Sequence, residues 1–120
     1  MSLRVKTLSR AQADLQAIAS WISRRSRRGA DLWIDALSAT TAEIAADPSS
    51  FGLVHERSLA QHDVREAFFK TRLGNRYRIV FVVVGEEVRI LRVRGSGQRP
   101  LRPTDFEFDD PTLLQDDDLS

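Results

Sequence analysis

Apolar and polar residues alternate from Leu3 to Leu8, which is the period of a half-buried strand. The spacing then changes. Ala11, Leu15, Ile18, Ala19 and Ile22 recur at three and four residues and predict a helix with a single apolar stripe. Ser9 and Gln12 stand at the capping-box spacing, so this helix is expected to open at Ser9. A polar break from Ser23 to Gly29 carries Arg24, Arg25, Arg27 and Arg28. Beyond it Ala30, Trp33, Ile34, Leu37, Thr41, Ile44 and Ala45 give a second helical stripe. Asp47-Pro48 ends that stripe, because proline disfavours the helical state of the residue before it. Two helices joined this closely form an antiparallel hairpin. Residues 48–52 read as a loop, and the stretch to Asp63 has no clear period.

From Val64 the period is two. Val64 to Thr71 predicts a strand, Arg72 to Asn75 a turn, and Arg76 to Val84 a strongly apolar, β-branched central strand. Gly85-Glu86 is a tight connection into a last strand over Glu87 to Arg94, ended by Gly95-Ser96-Gly97-Gln98. The order β-αα-βββ predicts an α+β fold, an antiparallel sheet covered on one face by a helical hairpin.

A chain of 120 residues supports one such domain, expected over residues 1–103. The longest apolar stretch, Ile79 to Val84, is far too short to span a bilayer. No secretory leader is visible at the N-terminus, and cysteine is absent, which removes disulfides, thiolate nucleophiles and Cys-based metal sites. The expected compartment is the cytoplasm, and no metal or cofactor is expected. The formal net charge of +1 hides a segregation. Residues 1–103 hold all 18 basic residues against ten acids, whereas residues 104–120 hold seven acids and no base. A basic body predicts an anionic or acidic partner, and the acidic stretch reads as a solvated tail. Its Phe106, Phe108, Leu113, Leu114 and Leu119 allow a second reading, in which its carboxylates and phenylalanines fold back over the Arg78, Arg92 and Arg94 face, or bind that face on a second copy.

Sixteen of the 18 bases are arginine, whose planar fork suits phosphate and carboxylate. Strand alternation puts Arg78 with Val80 and Val82, opposite Tyr77, Ile79, Phe81 and Val83. On the last strand it puts Val88, Ile90, Arg92 and Arg94 together. If the helices cover one face, Arg78, Arg92, Arg94 and Arg65 can gather on the other as an anion-binding or partner-binding surface. The plainer alternative is four separate solvated residues on an open sheet. His55 and His62, with Glu56 and Asp63, match no usual ligand spacing and read as surface histidines. Trp21 and Trp33 sit at stripe-compatible positions and read as packing groups rather than base-stacking ones, and Tyr77 reads as core.

Ala13-Asp14-Leu15-x-x-Ile18-x-x-Trp21-Ile22, Gly29-Ala30-x-x-Trp33-x-x-Ala36-Leu37, Ile44-Ala45-x-x-Pro48, Arg65-Glu66, Tyr77-Arg78-Ile79-Val80-Phe81 and Val88-x-Ile90-Leu91-x-Val93-Arg94 together resemble the RelE/ParE toxins, the plasmid stabilisation proteins. The likeness spans roughly residues 3–102 in the right order. It implies a type II toxin, a cognate antitoxin as partner, and growth arrest when that antitoxin is lost. One arm of the family implies a ribosome-dependent endoribonuclease acting on mRNA, the other an inhibitor of DNA gyrase with no catalytic centre. If the nuclease arm applies, the resemblance places Arg78 at the scissile phosphate, with Arg99, Lys70 and a carboxylate from Glu56 or Glu66 as further catalytic candidates. The nuclease arm also carries a Tyr or a His-Tyr pair near its end, and after Tyr77 this chain has neither residue. A 2′-hydroxyl attacking its own phosphate needs a proton acceptor and its leaving oxygen a donor, and arginine serves poorly as either. The expectation is therefore the ParE-like, gyrase-directed arm. The alternatives are the nuclease and an inactive homologue that only binds antitoxin.

Overall fold

A computed structural model describes residues 2–71, 74–95 and 98–105. The chain forms β1 (Arg4–Thr7), α1 (Ser9–Ser23), α2 (Arg27–Ala46), a short α3 (Arg57–Ala60), β2 (Arg65–Lys70), β3 (Arg76–Val84) and β4 (Glu87–Gly95). Single 3₁₀ turns lie at Pro48–Ser50 and Pro103–Asp105. The predicted order of elements is observed. Parts of the two expected turns, residues 72–73 and 96–97, and the tail from 106 onward lie outside the described residues.

Helix boundaries follow local hydrogen bonding. The Ser9–Gln12 capping box does not form: Leu8 is the extended N-cap, and Gln12 Nε2 donates to the Thr7 carbonyl at 3.1 Å. The polar break is shorter than expected because Ser26 Oγ accepts from the Gly29 N–H at 2.9 Å and starts α2 at Arg27. Asp47 caps the far end ahead of Pro48.

The sheet order is β1-β4-β3-β2. β2, β3 and β4 form the expected antiparallel meander, but β1 joins β4 in parallel, so the sheet is mixed. Gly85, at φ 61°, supplies the left-handed residue that the tight β3–β4 connection needs. Between β3 and β4 the register shifts: Val80 pairs with Arg92 and Phe81 with Ile90, leaving Leu91 as the extra residue of a bulge.

The helical hairpin covers one face. Trp33, Ile44, Ala67, Phe69, Tyr77, Ile79, Phe81, Val88, Ile90 and Val93 form its core. The Trp33 ring lies 5.9 Å from Phe69 and 5.5 Å from Tyr77, confirming two of the expected packing groups. Trp21 differs. It is 44% exposed, with the Arg25 guanidinium 3.9 Å from its ring centroid. Ile34, assigned to the stripe of α2, is likewise on the surface.

The opposite face, expected to be open, is a second core. Val80, Val82, Val84 and Leu91 of the sheet pack there with Val54, Leu59, Val64 and Leu101. The segment around α3 and residues 98–105 thus cover it. β3 announces this in its unbroken apolar run, since a strand with both faces buried loses polar alternation.

Candidate functional site

The far side of the sheet is where the predicted arginines meet, through the bulge. Strict alternation would put Arg92 and Arg94 beside Val88 and Ile90, which face the helices. The extra Leu91 inverts the remainder of β4, so that Arg94 stands directly across from Arg78 and Arg92 across from Val80.

None of the three is an open cation. Arg78, 9% exposed, donates from Nη1 to Glu56 Oε1 at 2.9 Å and to Glu66 Oε1 at 2.8 Å, and from Nη2 to Glu56 Oε2 at 2.5 Å. Glu56 Oε2 also accepts the Leu101 N–H at 2.8 Å. Burial pushes the Glu56 carboxyl upward, but the Arg78 hydrogen bonds, the Leu101 N–H and the Arg78 charge outweigh it and hold its pKa at about 2. For Arg78 too, desolvation is outweighed by the two glutamates, so its pKa is raised.

Arg92 grips Asp14 of α1 through Nε and Nη2, at 2.7 and 2.9 Å, and donates from Nη1 to the Asp105 carbonyl at 2.7 Å. Asp14 Oδ2 also accepts the Val93 N–H at 3.0 Å, so α1 closes the edge of β4 beyond the end of β1. Arg99, across a short loop, pairs with both oxygens of Asp105, at 2.7 and 2.5 Å. These bonds, with the Arg102 N–H, hold the Asp105 carboxyl well below the usual carboxylate range. Of the acids in the predicted tail, Asp105 gives its carboxylate to Arg99 rather than to Arg78, Arg92 or Arg94; the others lie outside the described residues.

Arg65 is not part of the group. Its register opposite Phe81 places it on the hairpin side, and its Nη1 donates to the Phe51 carbonyl at 2.5 Å. Lys70 is exposed at the end of β2, opposite Arg76. Arg94 is the exception among the buried arginines. At 8% exposure it makes one hydrogen bond among the described residues, from Nη2 to the Arg99 carbonyl at 3.0 Å, and its buried Nε finds no acceptor there. Burial first, and the nearby Arg92 second, lower its pKa.

His55, Glu56 and Glu66 bring three ligand-type atoms within 4.8 Å of one another, a grouping the sequence spacing does not reveal. The Arg78 guanidinium already sits against both carboxylates, so the cation of this cluster is the protein's own. His62 is not in the cluster and lies on the surface after α3. Sequence reasoning placed Asp14 only as part of a helix motif and gave Asp105 no role; both act through tertiary contact. It missed Arg76 as well, although Arg76 shares strand parity with Arg78. Its guanidinium lies 3.8 Å from the Phe68 ring centroid.

On the other side of the molecule a groove of about 750 Å³ opens between the hairpin and the β2–β3 connection. Trp21, Ile22, Leu32, Trp33 and Tyr77 give it an apolar floor, with Arg28 at its wall. Leu32 is 47% exposed, and the Trp33 Nε1 finds no acceptor.

Residues 5–100 match the family described as ParE toxin of type II toxin-antitoxin system, parDE. No curated protein matches the chain.

Proposed function

This chain belongs to the ParE toxin family of type II toxin–antitoxin systems, and from that premise we propose that it arrests growth without cutting RNA, by binding DNA gyrase. As a toxin of this family it pairs with a cognate antitoxin.

One observation carries the reading: the arginine and the glutamate that a nuclease would need are spent on each other. A scissile phosphate at Arg78 would have to displace two carboxylates already bonded to it at 2.5–2.9 Å. Glu56, held at about 2, is a weak base at neutral pH, because proton abstraction favours a group whose pKa lies near the working pH. Tyr77, the one tyrosine, is packed in the hairpin-side core, where burial raises its pKa. Arg99 is committed to Asp105, Glu66 is bonded to Arg78, and Lys70 stands exposed at the strand end.

The surface features fit protein partners better. Arg27 and Arg28 occupy the first turn of α2, where the helix dipole disfavours cations and no acid shares the turn. The dipole does not favour that choice. An acidic partner does, and the adjoining groove offers it an apolar anchor point beside Trp21 and Leu32. We assign this end to the antitoxin, docking through an amphipathic helix or an added strand.

The test is expression of the chain without antitoxin, followed by mapping of mRNA 5′ ends on stalled ribosomes and measurement of plasmid supercoiling. An SOS response with intact message is the expected result. Codon-phased cuts would overturn the proposal in favour of the ribosome-dependent nuclease. Growth without either effect would point to an inactive homologue.

A further inference from the structure

The ion pairing of the far face is incomplete at one place, and the shortfall is a charge. Arg78 has two carboxylates, Arg92 has Asp14, and Arg99 has Asp105. Arg94 has none among the described residues, although it is as buried as Arg78. A guanidinium carries five N–H donors, and a buried cation is normally paired. The unbonded Nε is sealed from any ligand, but Nη1, which makes no hydrogen bond among the described residues and is not sealed, can still take an outside acceptor.

A cavity of about 220 Å³ lies against this residue. Arg94, Arg78 and Arg76 contribute to its wall, together with Gln98, His55 and Phe68. The Arg76 guanidinium lies over the Phe68 ring, and no carboxylate pairs with it among the described residues. Gln98 Oε1 accepts the Gly95 N–H at 2.5 Å, which fixes the oxygen end of that amide and leaves its N–H pair as donors. Counting Glu56 and Glu66 against the three arginines, the wall keeps one positive charge. The volume is below the roughly 300 Å³ at which pockets begin to hold drug-sized ligands, and equals only about seven waters at ~30 Å³ each. It suits one small polyatomic group. A tetrahedral oxyanion brings several acceptors at once, which is what convergent arginine and amide donors lack here.

We propose that this cavity binds a single phosphate group, free or as the terminal phosphoryl of a nucleotide, with Arg94 and Arg76 as its cationic ligands and Gln98 as a neutral donor. The site differs from a nuclease centre at Arg78, whose charge is already met by glutamates. The proposal is independent of the gyrase reading, because it concerns the purified chain alone.

The experiment is a chemical-shift titration of the purified full chain with inorganic phosphate at constant ionic strength, repeated with a nucleoside monophosphate. Saturable shifts at Gly95, Gln98 and the Arg94 side chain are expected. Arg76→Gln should weaken phosphate about tenfold, the scale for losing one charge-assisted contact. Arg25→Gln, on the hairpin, should leave it unchanged. Arg94→Gln should abolish binding; if that variant does not fold, Arg76→Gln and Gln98→Ala still decide the matter. Tighter binding of the nucleotide than of phosphate, with the same sensitivity to Arg76→Gln, would identify a phosphoryl ester as the source, and equal binding would identify free phosphate. No saturation, shifts confined to Arg24–Arg28, or binding indifferent to both Arg76→Gln and Gln98→Ala would overturn the proposal.

Discussion

The two faces of the sheet are held by different physics. Under the helical hairpin, Trp33, Phe69, Tyr77, Phe81 and their aliphatic neighbours are excluded from water without any buried ion pair among them. The opposite face also has an apolar patch, but around it Arg78 and Arg92 are held by carboxylates from distant parts of the chain and Arg99 by the nearby Asp105. Glu56 lies 22 residues from Arg78, and Asp14 lies 78 from Arg92. Burial on the first face rests on close apolar packing, which acid does not disturb. The second face depends on geometry and protonation, and it fixes where α1, the α3 region and residues 98–105 sit on the sheet. A surface that looks from its residue types like a receptor for anions is, for most of its charge, already satisfied from within.

The comparison can be broken most forcefully at its two anchors. Phe81→Ala should cost about 3–5 kcal/mol of unfolding free energy, with the same loss at pH 7 and pH 3. Glu56→Ala should cost a similar ~3–5 kcal/mol at neutral pH, because it leaves Arg78 under-paired in a buried place. That loss should shrink on acidification. Urea unfolding of both variants at the two pH values checks the pair, and equal pH dependence would contradict the contrast.

A wild-type acid titration sharpens the same point. Glu56 has a folded-state pKa of about 2 against an ordinary 4.5. Its stabilisation is therefore complete above about 4.5 and is lost as the pH falls from there through about 2. Asp105, also depressed, adds a loss in the same direction. Stability measured by denaturant at several pH values should decline across that window, and Glu56→Gln should flatten the decline.

The general plan was legible in the sequence because period and punctuation are local. The stripes of α1 and α2, the Pro48 stop and the two-residue β3–β4 turn each follow from neighbouring residues, and the family resemblance reached the match over residues 5–100. What failed was non-local. One extra residue at Leu91 reversed the facing of the rest of β4, and nothing in the local pattern distinguishes a bulge from a regular strand there. The open face expected opposite the hairpin was ruled out by Val80, Val82 and Val84, whose unbroken run already asked for cover on both sides. The partners of the arginines, Asp14, Glu66 and Asp105, became visible only as contacts. Trp21 shows the remaining limit: its spacing fits the stripe, yet it sits at the margin under Arg25.

Smaller effects separate the faces further. Asp105→Asn should loosen residues 98–105 and speed exchange of the Leu101 N–H, with the effect diminishing in high salt because the Arg99 side chain is half exposed. Hydrogen exchange at two ionic strengths measures this. Trp21→Ala should change unfolding free energy by no more than ~1 kcal/mol, the scale of an exposed cation–π contact, while weakening antitoxin binding if the groove is its seat.

The central claim is that Arg78 is an internal counterion, saturated by Glu56 and Glu66. An NMR titration that follows the Glu56 side-chain carboxyl carbon tests it directly. The account predicts a midpoint near 2, rising toward the ordinary range in Arg78→Met. A wild-type midpoint at 4.5, unmoved by that substitution, would mean that the arginine is free for an outside phosphate and that the account is wrong.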